Sequence, residues 1–247
     1  MALSDRMVEL RQKLEHPTPT RWYKRWWGVL VLLCLFFLAS FAAASVIYII
    51  KTARDIKNEK ASINTAQKIQ TDKALIEGQN NYWLGTSTPK ITIVEFSDFA
   101  CPYCQENFSI VRELGLKYQN DIKIIYRDYL GHSDSLDLAL AARCAGEQNK
   151  FWAMHDKLFT NQGQTGLINL PVFAQQLGLD VKTFNTCLST KKYLSYIRED
   201  IAAAETIGIT KTPSWIINDQ TRGEAYLQEG AIDRSDFINI IEAFLKK

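Results

Sequence analysis

Two cysteines separated by two residues, Cys101-Pro102-Tyr103-Cys104, are the residues of this chain whose types and spacing suit covalent chemistry best. A gap of two residues places the second thiol one helical turn after the first, close enough for a disulfide. If Cys101 opens a helix, its sulfur meets N–H groups that lack intrahelical partners, and the helix dipole favours negative charge there. The thiol pKa in such motifs falls from about 8.5 to between roughly 3.5 and 7.5. Pro102 suits the first helical turn, where its missing N–H costs nothing. These features assign attack to Cys101 and resolution of a mixed disulfide to the deeper Cys104. A zinc site would need a second close ligand pair, and Cys144 and Cys187 stand far apart. An inert structural disulfide is the other bland use of the pair.

The elements that must hold this pair can be read around it. Ile91-Thr92-Ile93-Val94-Glu95-Phe96 is β-rich and nearly all apolar, as in a buried central strand. Cys101 to Tyr118 shows helical spacing in Phe108, Val111, Leu114 and Leu116, and Ile122–Tyr126 reads as a second strand. Strand, helix and strand form a βαβ unit with parallel strands. From Ser133 to Ile207 the pattern is helical throughout: one helix ends near Gly146, a second holds Phe151, Trp152, Met154, Leu158 and Phe159, and a third begins at Leu170-Pro171. Ser214–Ile217 and Ala225–Leu227 read as a hairpin. Asp233 reads as the N-cap of a closing helix whose apolar face is Phe237, Ile240, Ile241 and Phe244. The order βαβ, helices, ββα fits an α/β domain with a helical insertion at about 131–207.

At the N-terminus, residues 28–50 carry no charge, a run long enough to cross a bilayer as a helix. Trp22, Tyr23, Trp26 and Trp27 mark one boundary and Tyr48 the other. Ala42-Ala43-Ala44 resembles a signal-peptide cleavage site, but the apolar run continues past it, which favours an uncleaved single-pass anchor. Basic residues flank the run on both sides and orient it weakly, and Cys34 within it reads as a small hydrophobe. The redox chemistry places 1–27 in the cytoplasm and the C-terminal domain outside the cell membrane. Residues 51–81 are polar and mixed in charge and read as a solvated stalk, with a globular domain from 82 to 247. A net charge of +2, with lysines interleaved among acids, excludes a dedicated nucleic-acid binder. No glycine-rich phosphate loop and no cofactor or metal motif appears.

Val94-Glu95-Phe96-Ser97-Asp98-Phe99-Ala100-Cys101-Pro102-Tyr103-Cys104 resembles the active-site segment of the DsbA-like thioredoxin-fold family. Gly208-Ile209-Thr210-Lys211-Thr212-Pro213-Ser214-Trp215 resembles its cis-proline segment, and the stretches Ala141–Trp152 and Leu177–Asp180 with Phe184 also match. The resemblance covers roughly residues 82–247. It implies a thioredoxin-like fold with an inserted all-helical domain, here preceded by one transmembrane helix. It implies a protein thiol–disulfide oxidoreductase without a cofactor, forming disulfides in exported proteins in a bacterial setting. A quinone-linked membrane partner would restore its disulfide. An extracytoplasmic reductase or isomerase is the nearest alternative, and a non-catalytic chaperone module a more distant one. Pro213 takes the place of the cis-proline and Thr212 that of the residue before it, whose backbone would pair with substrate. Glu95 takes the place of a buried acid that exchanges a proton with Cys104; a solvated strand-end charge is its plainer reading. Tyr103 departs from the His or Ser of strong oxidants, and Lys211 stands where glycine is frequent. Some family members join a pair like Cys144 and Cys187, closing a 44-residue loop (144–187) worth about 4 kcal/mol; two buried thiols are the alternative. His132 reads as a loop residue and His155 as a packed helical one.

Overall fold

The strand Ile91–Ser97 is buried along its whole length, so its alternating side chains must find apolar cover on both sides. In the computed structural model this strand, β3, is central. The structure describes residues 6, 7, 11, 26–65, 67–69, 72–163 and 170–246. The remaining elements, in chain order, are α1 (Trp26–Thr65), β1 (Gln67–Ile69), α2 (Lys73–Glu77), β2 (Trp83–Gly85), α3 (Pro102–Lys117), β4 (Ile122–Asp128), α4 (Ser135–Gly146), α5 (Phe151–Thr160), α6 (Leu170–Gln176), α7 (Val181–Ser189), α8 (Leu194–Ile207), β5 (Ser214–Asp219), β6 (Glu224–Glu229) and α9 (Arg234–Leu245).

The sheet has the order β1-β6-β5-β3-β4-β2. β3 and β4 run parallel, with Ile91 opposite Ile122 and Ser97 opposite Asp128, as the crossover through α3 requires. The other pairings are antiparallel. On one face Ile91, Ile93, Ile122, Ile124, Trp215 and Ile217 pack against Val111 and Leu114 of α3 and Phe237, Ile240 and Ile241 of α9. On the other, Val94, Phe96, Ile125 and Ile216 meet Ile76 of α2 and Ala204 of α8. Each such side chain removed from water contributes about 1.5–3 kcal/mol. Asp233 does stand at the N-cap of α9 in extended conformation, although its side chain makes no capping bond. Gly208 ends α8 in the left-handed conformation, φ +87°, which only glycine adopts without steric cost.

Two expectations need correction. Leu116 is 73% exposed, and the buried neighbour of Leu114 is Gly115. Two residues advance about 200° around a helix, so Leu116 cannot share the face of Leu114. Nor are residues 51–81 a solvated stalk throughout. The helix α1 continues to Thr65, Gln67–Ile69 adds a strand beside β6, and Ile76 of α2 is 1% exposed within the core. Only the charged remainder of this stretch was visible in its composition. The short strand β2 was not foreseen either, because three residues show no periodicity.

The segment preceding β2 is pinned from below. Arg127 Nη1 donates to the carbonyls of Leu75 and Ile76, and its Nε donates to Asp200 Oδ1 at 2.7 Å. Arg143 bridges Asp128 and Asp200 and reaches Asn81 Oδ1 at 3.1 Å. Tyr82 stacks on Phe151 with ring centroids 3.9 Å apart, and its hydroxyl donates to the Arg143 carbonyl. A Cβ at Gly146 would stand 2.1 Å from that hydroxyl, so glycine is required for the approach. The helix Trp26–Arg54 near the N-terminus is long and apolar enough to cross a membrane. The aromatic residues Trp22 and Tyr23, and nearly all of the expected tail 1–27, lie outside the described residues.

Candidate active site

Cys101 stands where β3 has ended and α3 has not begun. It is the N-cap of α3, with φ −81° and ψ 123°, and Pro102 follows at the first turn. The Cys101 N–H donates to the Asp98 carbonyl at 3.0 Å, which closes the tight turn out of the strand. The Cys101 side chain caps nothing, so its sulfur is left for other partners. Both Cys101 and Cys104 are free thiols, 5% and 0% exposed, while Tyr103 between them is 59% exposed.

The two sulfurs live in opposite electrostatic surroundings. The Cys101 thiol is brought down to about 5, chiefly by a hydrogen bond from the Cys104 side chain; burial opposes this, and Thr212 and the N–H groups of Cys104 and Tyr103 add to it. Burial pushes Cys104 far above the ordinary thiol range, the sulfur of Cys101 adds to the rise, and the Asp98 N–H approaching at 3.5 Å pulls weakly the other way. The pair is thus built to hold one anion and one thiol.

Thr212 reaches this site from 111 residues away. Its carbonyl lies 3.5 Å from Cys101 Sγ, and the Thr212–Pro213 peptide bond is cis. Ser214 Oγ ties the turn by donating to the Lys211 carbonyl, and Gly230 N–H donates to the Pro213 carbonyl at 2.7 Å. Glu95 is on the face of β3 that α3 covers. It is fully buried, and neither carboxylate oxygen has a hydrogen-bond partner among the described residues. It is therefore no solvated strand-end charge. Burial raises its pKa to about 7, so it can hold or release a proton near neutral pH, and its charge raises Cys104 further. The structure thus brings together Cys101, Pro102, Tyr103, Cys104, Thr212, Pro213 and Glu95.

Cys144 and Cys187 are elsewhere. They are joined to each other, with Cα atoms 5.8 Å apart, and link α4 to α7 inside the helical block. His155 is fully buried within a ring of aromatic side chains that includes Phe99, Phe159 and Trp152; burial lowers its pKa, and its Nδ1 meets Asp156 Oδ1 at 2.9 Å.

Three polar side chains that shape the site were not singled out as site residues from the sequence. Gln162 Nε2 donates to the carbonyls of Phe99 and Cys101 at 3.0 and 2.9 Å, clamping the loop before α3 from the helical block. Gln105 Nε2 donates to the Phe159 carbonyl at 2.8 Å. Asp98 gathers donors from the loop before α4 and from Ser135 at its start, His132 among them. Only Asp98, inside the active-site segment, carried any local signal; the others acquire their partners through long-range folding.

Comparison with known proteins agrees with this geometry. Residues 77–243, more than half of the chain, match the family model described as Thioredoxin. A thioredoxin-like oxidoreductase from Silicibacter pomeroyi superposes with a TM-score of 0.62 at 26% identity, over 72% of this chain and 99% of that one. The thiol-disulfide exchange protein alpha-DsbA2 from Wolbachia pipientis shares the fold with a TM-score of 0.60 at 21% identity, over 77% of this chain and 97% of that one. Among curated proteins, the Na(+)/H(+) antiporter NhaA 1 of Salinispora arenicola is 30% identical over 154 residues, covering 61% of this chain and 24% of that protein. The chain thus spans about a quarter of the length of the curated relatives it matches. The family match, the helix-inserted fold and the Cys pair at the start of α3 agree: the chain belongs to the thioredoxin family and has the fold of DsbA-like thiol–disulfide exchange proteins.

Proposed function

We propose that this protein is a dithiol oxidase that forms disulfides in exported proteins through Cys101 and Cys104. The carrying observation is the asymmetry of the two sulfurs. A Cys101 anion favoured by the fold stabilises the reduced form, and a stabilised reduced form makes the corresponding disulfide a strong oxidant. In the reaction a substrate thiolate attacks Cys101 Sγ and the Cys101–Cys104 bond breaks. The second substrate thiol then displaces Cys101 as a thiolate, and Cys104 keeps a proton. Glu95 supplies and removes the Cys104 proton across the buried face of β3. Pro102 sets the first turn of α3, and Tyr103, Thr212 and Pro213 border the exchanging sulfur, with the Thr212 backbone offered to an extended substrate segment. The Cys144–Cys187 bond braces the helical block and takes no part.

The helix Trp26–Arg54 serves as a single-pass anchor, with the C-terminal domain on the outer side of the cell membrane. There the reduced pair passes two electrons to a quinone-linked membrane partner and releases the Cys104 proton, which restores the disulfide. The direction is tested by mixing the oxidised full chain with a reduced, unfolded substrate that carries paired thiols. The expected result is one substrate disulfide per chain, with Cys101 and Cys104 recovered as thiols. A chain that leaves the substrate reduced, yet in its dithiol form readily opens the same substrate's disulfide, would be a reductase.

A further inference from the structure

Asp98 joins both cysteines to the helical insertion. Its N–H meets Cys104 Sγ at 3.5 Å, and its carbonyl accepts from the Cys101 N–H at 3.0 Å. Its carboxylate is fully buried and accepts from four donors: Ala100 N–H and Gly131 N–H at 2.9 Å, the Ser135 hydroxyl at 2.8 Å, and His132 Nδ1 at 2.8 Å. Asp98 thus ties the turn that carries Cys101 to the His132 ring, and a protonated ring and a Cys101 anion attract one another. His132 can also trade protons with solvent, because its side chain is 44% exposed while that of Asp98 is closed off.

We propose that His132, held by Asp98, is the charge partner of the Cys101 thiolate and takes up a proton when the Cys101–Cys104 disulfide is reduced. It is a positioning residue, acting on Cys101 through charge. The proposal rests on Cys101 being the exchanging sulfur.

Three acidic groups act on the His132 ring: Asp98, hydrogen-bonded to it from the turn after β3, and, through charge, Cys101 at the start of α3 and Asp134 at the N-cap of α4. Each favours the protonated ring, the Asp98 hydrogen bond most of all, with burial opposing. Asp98 and Asp134 act in both redox states, whereas Cys101 is charged only when reduced. The reduced protein therefore binds the His132 proton more tightly. The balance closes. A substrate dithiol gives up two electrons and two protons as its own disulfide forms. The electrons break the Cys101–Cys104 bond, Cys104 takes one proton, Cys101 remains an anion, and His132 takes the second proton. Neither Pro102 nor Tyr103 is a basic side chain, so a histidine from the insertion does what the dipeptide of this motif does not.

The test uses the full chain in detergent, equilibrated with reduced and oxidised glutathione across neutral pH. Protons taken up per disulfide reduced follow from the pH slope of the equilibrium constant. The wild type should exceed one proton at pH values above the ordinary imidazole range, where the raised His132 titrates. His132→Lys keeps the charge but does not titrate there. It should fall to one proton while its Cys101 alkylation profile stays within a few tenths of a pH unit of wild type. His132→Gln should also fall to one proton, and its Cys101 profile should move up by about one unit, a tenfold loss of thiolate below the midpoint. Glu95 titrates alike in all three proteins, so the differences isolate His132. Equal proton counts in wild type and His132→Lys would overturn the proposal while leaving Cys101 as the exchanging sulfur. Failure of the wild type to form the Cys101–Cys104 disulfide would instead remove the reading of the site on which it rests.

Discussion

Cys101→Ser brings oxidation of a substrate dithiol down to the uncatalysed level, because a serine hydroxyl forms no disulfide and is un-ionised at neutral pH. Cys104→Ser behaves differently. Its Cys101 still meets substrate sulfurs, but nothing resolves the mixed disulfide, so covalent enzyme–substrate complexes accumulate and turnover stops. Non-reducing electrophoresis with mass mapping at Cys101 separates the two outcomes. The wild-type site also has a defined pH limit. The folded Cys101 pKa is depressed to about 5, from an ordinary value of about 9. An acid with a depressed folded pKa stabilises the folded chain above its unfolded pKa and loses that contribution as pH falls through the folded value. The reduced form should therefore be most favoured above about pH 9 and lose this advantage progressively down to about pH 5. Alkylation of Cys101 should remain fast at pH 6 and slow tenfold per unit below about pH 5. An alkylation midpoint near that of an ordinary thiol, with turnover retained in Cys101→Ser, would contradict the assignment.

Asp200→Ala should be the most destabilising of the single changes outside the site. Asp200 accepts from Arg127 Nε at 2.7 Å, from the Asp128 N–H at 3.1 Å and from Arg143. All four side chains are within a few percent of complete burial. Such an ionic cluster adds little stability relative to an apolar core, since desolvation offsets much of its attraction. Removing one member is another matter: among the described residues it leaves Arg127 without a carboxylate and Arg143 with Asp128 alone, at a cost of about 3–5 kcal/mol. For a domain of this size that lowers the unfolding midpoint by roughly 10 °C, read by thermal denaturation. The same cluster holds the segment around Leu75, Ile76 and Asn81, so proteolysis there should accelerate in the variant. A midpoint unchanged within a degree would show that Asp200 is not a keystone.

Much of this site was legible in the residue order because its key features are local. A Cys-X-X-Cys at the end of an apolar run and the start of a helical period fixes strand, turn and thiol in one short stretch. The placing of Thr212 and Pro213 beside it came from resemblance alone, since nothing local to those residues says that they meet Cys101. Glu95 was ambiguous between buried and solvated because an acid within an apolar strand is consistent with either; the covering of β3 by α3 decides it. Asp98, His132, Gln105 and Gln162 were not legible as a network, since hydrogen bonds between distant polar side chains leave no periodicity. The boundary of the domain failed for a related reason. Lys68 and Lys73 made 67–77 look solvated, although Ile69 and Ile76 lie among them and Ile76 enters the core.

The reduction potential of the Cys101–Cys104 pair, measured on the full chain against glutathione, reports directly on whether the fold favours the Cys101 anion. A stabilised reduced form predicts a strongly oxidising couple, near about −120 mV. A value near about −270 mV, that of a reducing couple, would contradict it.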